Sequence, residues 1–150
     1  IAFIGVKDSK TTVIRQNGYR QALLEAGLEY DEGLVGLTSG FDNSEIFTIV
    51  ESIIHNYPDL RTIFVFNDLM GTAVIDALYR LGKRIPGDIA VMGFDDSVAS
   101  YTFPRMTTMS IPKVEMASIA MERLFKRING DNSSPLDIKI TPTLVEGNTT

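Results

Sequence analysis

The sequence predicts an α/β fold built around a parallel sheet. Short apolar runs at 1–6, 34–37, 62–66 and 89–94 alternate with amphipathic stretches of helical period, and each stretch stops at a glycine or a proline. The totals agree: 150 residues, 44% hydrophobic and 22% charged, suit one domain with a sizeable core.

The first run, Ile1–Val6, is apolar throughout and reads as a buried strand. A helix follows from Ser9 to Ala26, with Ile14, Ala22, Leu23 and Ala26 near one face and Gly27 as its stop. A second strand covers Leu34–Leu37. Asp42 or Asn43 then caps a helix whose Ile46, Val50, Ile53, Ile54 and Tyr57 recur at helical spacing until Pro58 forbids continuation. The third strand, Thr62–Phe66, leads into a helix with Met70, Ala73, Val74, Ala77, Leu78 and Leu81 on one face and Gly82 at its end. The turn "IPGD" introduces a fourth strand, Ile89–Phe94. Beyond it the rhythm changes to a polar loop, a short extended piece at Met106–Ser110 and a helix from Pro112 to Asn129. That last helix carries a broad apolar stripe of Val114, Ala117, Met121, Leu124, Phe125 and Ile128. A turn-rich loop and a final extended stretch, Ile138–Val145, close the chain.

Composition excludes several classes of function. Without cysteine there is no disulfide, thiolate nucleophile or cysteine zinc site, and the one histidine, His55, has no second histidine to share a metal. A net charge of −5 argues against nucleic-acid binding by this segment itself, and Arg123, Lys126 and Arg127 read as a solvated helix face. No apolar run approaches the roughly 20 residues of a membrane span, and no signal peptide is seen. The chain starts on Ile1, already within a strand pattern, and so reads as a piece of a longer protein.

In an open parallel sheet, ligands bind beyond the carboxyl ends of the strands. The polar or aromatic residues found there are Asp8, Thr11 and Arg15 after the first strand and Phe41 after the second. Asn67 and Asp68 follow the third strand, and Asp95 and Asp96 the fourth. A forked cation, an amide, a carboxylate and an aromatic face suit a polyhydroxylated or heterocyclic small molecule. Each has a second reading. Asn67 or Asp68 caps the following helix, Phe41 is core, and Asp96 or Ser97 stabilises its loop. Asp95 and Asp96 do not make an acid–base pair, because adjacent side chains diverge. Phosphate-loop, dinucleotide and nucleophile-elbow motifs are all missing, so the reading is a binder, not an enzyme, with neither cofactor nor metal.

The block "TIFVFNDLMGTAVIDALYRLGKRIPGDIAVMGFDDS" resembles the central part of the lactose/galactose-repressor family of bacterial transcription regulators: an apolar strand, ND-x-M, a helix to a glycine, then P-x-D and G-F-D-D. "MTTMSIP", "TPTLVEGNTT" and the R-x-x-G-Y of the first helix continue the resemblance over nearly the whole chain. It implies a parallel-sheet lobe of the periplasmic-binding-protein-like type I fold. Residues 1–110 would be the second lobe of an effector-binding core, 111–137 a crossover and helix belonging to the first lobe, and 138–150 a return strand. It also implies effector contacts by Arg15, Phe41, Asn67 and Asp95, with Thr11 and Asp68 as secondary candidates.

The function implied is sensing of a small-molecule effector, a sugar or related metabolite. A cytoplasmic homodimer would act on operator DNA through a domain outside this chain, with no membrane role. The alternative is a solute-binding protein of the same fold serving transport or chemotaxis. Four positions depart from the family pattern: Ile111 in place of glutamine, Gly147 in place of arginine, and Glu45-Ile46 in place of a glycine–aromatic pair. The glycine at 147 is expected to weaken a tie near the chain's end. The stripe on the last helix is expected to lack its native sheet here.

Overall fold

The computed structural model describes residues 1–150. Six strands form one sheet in the order β2-β1-β3-β4-β5-β6. They are β1 (Ala2–Val6), β2 (Val35–Thr38), β3 (Thr62–Val65), β4 (Ala90–Asp95), β5 (Thr107–Ser110) and β6 (Thr143–Val145). β1 to β5 pair in parallel, and β6 pairs antiparallel to β5. The helices are α1 (Lys10–Glu25), α2 (Asn43–Asn56), α3 (Asp68–Arg80) and α4 (Lys113–Ile128). The mostly parallel α/β sheet is thus as the sequence predicts. The final strand is shorter than expected, because 138–142 joins no ladder.

Local chemistry explains where the helices start. Ser9 caps α1 by accepting the Thr12 N–H, and Asp42 caps α2 by accepting from Ser44 and Glu45. The stripes on α2 and α3 face one side of the sheet. Ile46, Val50 and Ile53 from α2 meet Met70, Val74, Ala77 and Leu78 from α3 over Ile4, Ile63, Val65 and Val91. Each valine, leucine, isoleucine or methionine among them, fully buried, contributes about 1.5–3 kcal/mol of transfer free energy before entropy is counted.

The opposite face is different. α1 covers it only in part, with Tyr19 and Leu23 on Phe3. Tyr19 stacks on Phe3 with ring centroids 5.7 Å apart and donates its hydroxyl to the Ile1 carbonyl at 2.7 Å. The expected apolar face of α1 needs correction: Leu23 is buried, but Ile14, Ala22 and Ala26 are exposed, and the buried face is Thr12, Tyr19 and Leu23. Helical period marks a face only where apolar residues fill it, and here a threonine and a tyrosine do. Further along that side of the sheet, Phe64, Met92 and Met109 remain half-buried.

α4 stands apart. None of its residues is buried, and Val114, Met121, Leu124, Phe125 and Ile128 all lie open to solvent.

The chain's end is held firmly, contrary to the expectation for Gly147. A Cβ at 147 would lie 2.3 Å from the Arg105 carbonyl oxygen and 2.6 Å from the Met106 carbonyl carbon. Glycine is what lets the tail close in. Asn148 N–H then donates to the Arg105 carbonyl at 2.6 Å, and buried Thr149 donates its hydroxyl to the Val91 carbonyl at 2.6 Å.

Candidate functional site

The strand order reverses between β1 and β3, and that crevice at the carboxyl ends is where the polar residues gather. Arg15, in the second turn of α1, reaches across it. One Nη donates to the Phe66 carbonyl just beyond β3, and the other to Asp95 Oδ1 at the end of β4, at 2.7 Å. Side-chain exposures of 13% for Arg15 and 25% for Asp95 mark a pair shielded enough to matter and open enough to be reached.

Two aromatic rings flank the guanidinium. Its Cζ lies 4.0 Å from the Phe94 ring centroid and 4.9 Å from that of Phe66. Such contacts contribute roughly 0.5–2 kcal/mol each, more as water is excluded. Phe41 extends the aromatic wall, 6.1 Å from Phe66 and tilted by 58°, with 44% of its surface exposed. The wall therefore offers a free aromatic face beside a fixed cation.

The Asn67–Asp68 pair divides its work in an unexpected way. Asn67 is the cap of α3, its Oδ1 accepting the Met70 N–H at 3.0 Å, while its Nδ2 makes no hydrogen bond within the protein. Asp68 is neither cap nor surface group, so its place as a secondary ligand contact is corrected. It is fully buried, with Oδ1 accepting the Thr108 hydroxyl at 2.6 Å and Oδ2 accepting the Ser97 N–H at 2.7 Å. A buried carboxylate needs such partners, and both oxygens are committed. Thr11 is exposed in the first turn of α1 and makes no hydrogen bond to these residues, whereas neighbouring Thr12 turns inward to accept the Val6 N–H at 3.1 Å.

The end of β4 is strained. Asp95 has φ of 96° and Asp96 of 50°, a region L-residues rarely occupy, at a cost of order 1–3 kcal/mol each. Lys113 of α4 donates Nζ to the carbonyls of both residues.

The structure brings Arg15, Phe41, Asn67 and Asp95, all named from the sequence, to one edge, and sets beside them Phe66, Phe94 and Lys113, which the sequence did not single out. The two phenylalanines look like strand core until Arg15 is seen to lie against them. Phe94 carried a signal, since it continues the period-two face of Ala90 and Met92. A cleft of about 360 Å³ lined by Ile1, Leu34, Tyr57 and Leu60 lies at the other, amino end of the strands. It shares no residue with the crevice, and although Asn56 and Asp59 line it, no arginine or lysine side chain stands with them. No group of three or more His, Cys, Asp or Glu is arranged to hold a metal.

Comparison with known proteins identifies the fold's relatives. The model of the periplasmic binding protein-like domain matches residues 1–150. The HTH-type transcriptional regulator CelR of Thermobifida fusca is 37% identical over 142 residues, which are 94% of this chain and 42% of that protein. The ribose operon repressor of Escherichia coli K12 is 32% identical over 143 residues, 95% of this chain and 43% of the relative. Among solved structures, a CelR–cellobiose complex superposes with a TM-score of 0.89 at 34% identity, covering 99% of this chain and 46% of the other. The chain thus spans less than half the length of the relatives it matches. On the family match over its full length, the chain belongs to the periplasmic binding protein-like domain family, in the form shared with LacI-family transcription regulators.

Proposed function

We propose that this chain is the effector-sensing region of a bacterial DNA-binding transcription regulator, and that its effector is a sugar or a related polyhydroxylated metabolite. The observation that carries the reading is the Arg15 centre. Asp95 keeps Oδ2 unbonded, Asn67 keeps Nδ2 unbonded, and Phe41 keeps an open ring face, all around one fixed guanidinium. Hydroxyl groups satisfy that set as both donors and acceptors, and an apolar sugar face suits the ring. Relatives named as a regulator in complex with cellobiose and as a ribose operon repressor support the regulator reading over one in transport. The chemistry is binding alone, with no residue set arranged for turnover.

The domain arrangement belongs to the same proposal. Residues 1–110 and 138–150 serve as one lobe, and 111–137 crosses to another whose sheet receives the stripe on α4. The protein acts in the cytoplasm as a homodimer, and its operator contacts come from outside this chain. Tyr101 and Phe103, 87% and 92% exposed, stand beside Tyr79 on α3 and give a second copy an aromatic surface to bury.

The test is Asp95→Ala in the full-length protein, with operator binding followed by fluorescence anisotropy as cellobiose or ribose is added. Operator affinity should persist and the response to sugar should vanish. A response equal to that of the wild type would refute the assigned site. Phe103→Ser should shift the sedimentation coefficient towards that of a monomer.

A further inference from the structure

Lys113 opens α4, the helix that the lobe reading assigns elsewhere, yet its ammonium rests on the candidate site. Nζ donates to the Asp95 carbonyl and, at 3.0 Å, to the Asp96 carbonyl. These are the two consecutive residues with φ of 96° and 50°. A left-handed pair without glycine persists only where its surroundings hold it.

Three elements supply that hold. From α1, Arg15 takes the Asp95 carboxylate; from β5, the Thr108 hydroxyl accepts the Asp96 N–H at 3.4 Å. From α4, Lys113 takes both carbonyls. The first two leave those carbonyl oxygens unpaired, and only the ammonium gathers them. A compact cation with three donors fits two converging oxygens, and hydrogen bonds to a charged group are the stronger kind. Lys113 also follows directly on Ile111–Pro112, where the chain leaves β5 for α4.

We infer that Lys113 is a positioning residue for the effector site. It fixes the Asp95–Asp96 turn so that the Asp95 carboxylate faces Arg15, and it fastens the crossover segment to that turn. The inference rests on the reading of this crevice as the effector site. Its consequence is that any rearrangement of Asp95 on effector binding is felt at the start of α4.

The experiment uses the full-length protein with Lys113→Met, Lys113→Arg, and Asp96→Gly added to Lys113→Met. Amide exchange of 94–98 is measured without ligand, and cellobiose, as the probe, is titrated by calorimetry. Lys113→Met should speed exchange at Asp96–Val98 by roughly tenfold and weaken cellobiose binding by roughly tenfold. Lys113→Arg should stay near the wild type in both. Glycine adopts a positive φ unaided, so Asp96→Gly should restore binding in the Met background. Unchanged exchange in Lys113→Met overturns the inference, as does unaltered affinity despite faster exchange. Affinity lost and not restored by Asp96→Gly also overturns it, by making Lys113 a direct contact. If the wild type binds no cellobiose, ribose replaces it as the probe, and if it binds neither, the effector reading is what fails. The exchange arm then decides on its own whether Lys113 holds the turn.

Discussion

The Thr108 hydroxyl donates to Asp68 Oδ1 at 2.6 Å, joining the start of α3 to β5 across the top of β4. The bond depends on a third residue. A Cβ on Gly93 would lie 2.4 Å from that same oxygen, so β4 is bare where the carboxylate passes over it. The other oxygen, Oδ2, takes the N–H groups of Ser97 and Val98, which fixes the loop that follows Asp96. The buried carboxylate therefore braces the site from behind while Lys113 holds it from the front.

Asp68→Ala removes the acceptor for the Thr108 hydroxyl and two backbone N–H groups, and leaves those donors without partners. The expected loss is about 2–3 kcal/mol, a fall in Tm of roughly 4–12 °C. Thermal melts followed by circular dichroism measure it. Asp68→Asn keeps one oxygen acceptor and should lose about half as much. Equal melting of wild type and Ala variant would show that the brace contributes nothing.

How much of this was legible in the sequence depends on the range of the cause. α3 is readable because its stripe, its cap and its stopping glycine all lie within 16 residues, 67–82, and the structure buries Met70, Val74 and Leu78 as the spacing requires. Arg15, Asn67 and Asp95 were readable as strand-end polar residues, since topology alone sends them to one edge. Asp68 was not, because its partner lies 40 residues away and its burial depends on sheet register and on a glycine in another strand. Lys113 was hidden for the same reason, and as the first residue of an amphipathic helix it looks like an ordinary solvated cation. α1 misled in the other direction: its isoleucine and alanines point outwards while Thr12 and Tyr19 are buried.

Gly147 shows that a departure from a family pattern can be a requirement of the local packing. Because a Cβ would meet backbone atoms and not a flexible side chain, Gly147→Arg cannot be relieved by rotation. Forced overpacking of this kind costs about 1–3 kcal/mol. Urea unfolding should show a lower midpoint with an unchanged slope. A variant as stable as the wild type would mean that the tail relaxes at no cost.

Arg84 and Asp88 make the turn into β4 sensitive to acid. Asp88 accepts from Arg84 Nε at 3.0 Å, from Nη2 at 2.7 Å and from the Arg84 backbone N–H at 2.8 Å. The Arg84 side chain, then its backbone N–H, hold the carboxyl well below the usual aspartate range. Below about pH 4, the ordinary aspartate value, the unfolded chain binds this proton more readily than the folded one. The contribution is therefore fully present above that value and is lost as pH falls towards the depressed pKa. Asp88→Asn should flatten the acid limb of a plot of stability against pH while leaving its shape at neutral pH unchanged. An acid limb identical to that of the wild type would assign the sensitivity elsewhere.

The stripe on α4 gives the proposed lobe boundary a direct test, because one substitution should behave differently in two contexts. Leu124 and Phe125 are half or more exposed, so in the chain as it stands their apolar surface already meets water. Changing either to glutamine there should shift stability by no more than about 0.5 kcal/mol, as for ordinary surface sites. In the full-length protein the same residues would be buried against the other lobe. Each glutamine should then cost about 1.5–3 kcal/mol, the transfer free energy of a large apolar side chain, together with the penalty for burying an amide. Parallel urea titrations of the two forms measure the contrast. If both forms respond alike, α4 has no partner sheet, and residues 111–137 belong with the lobe they are joined to.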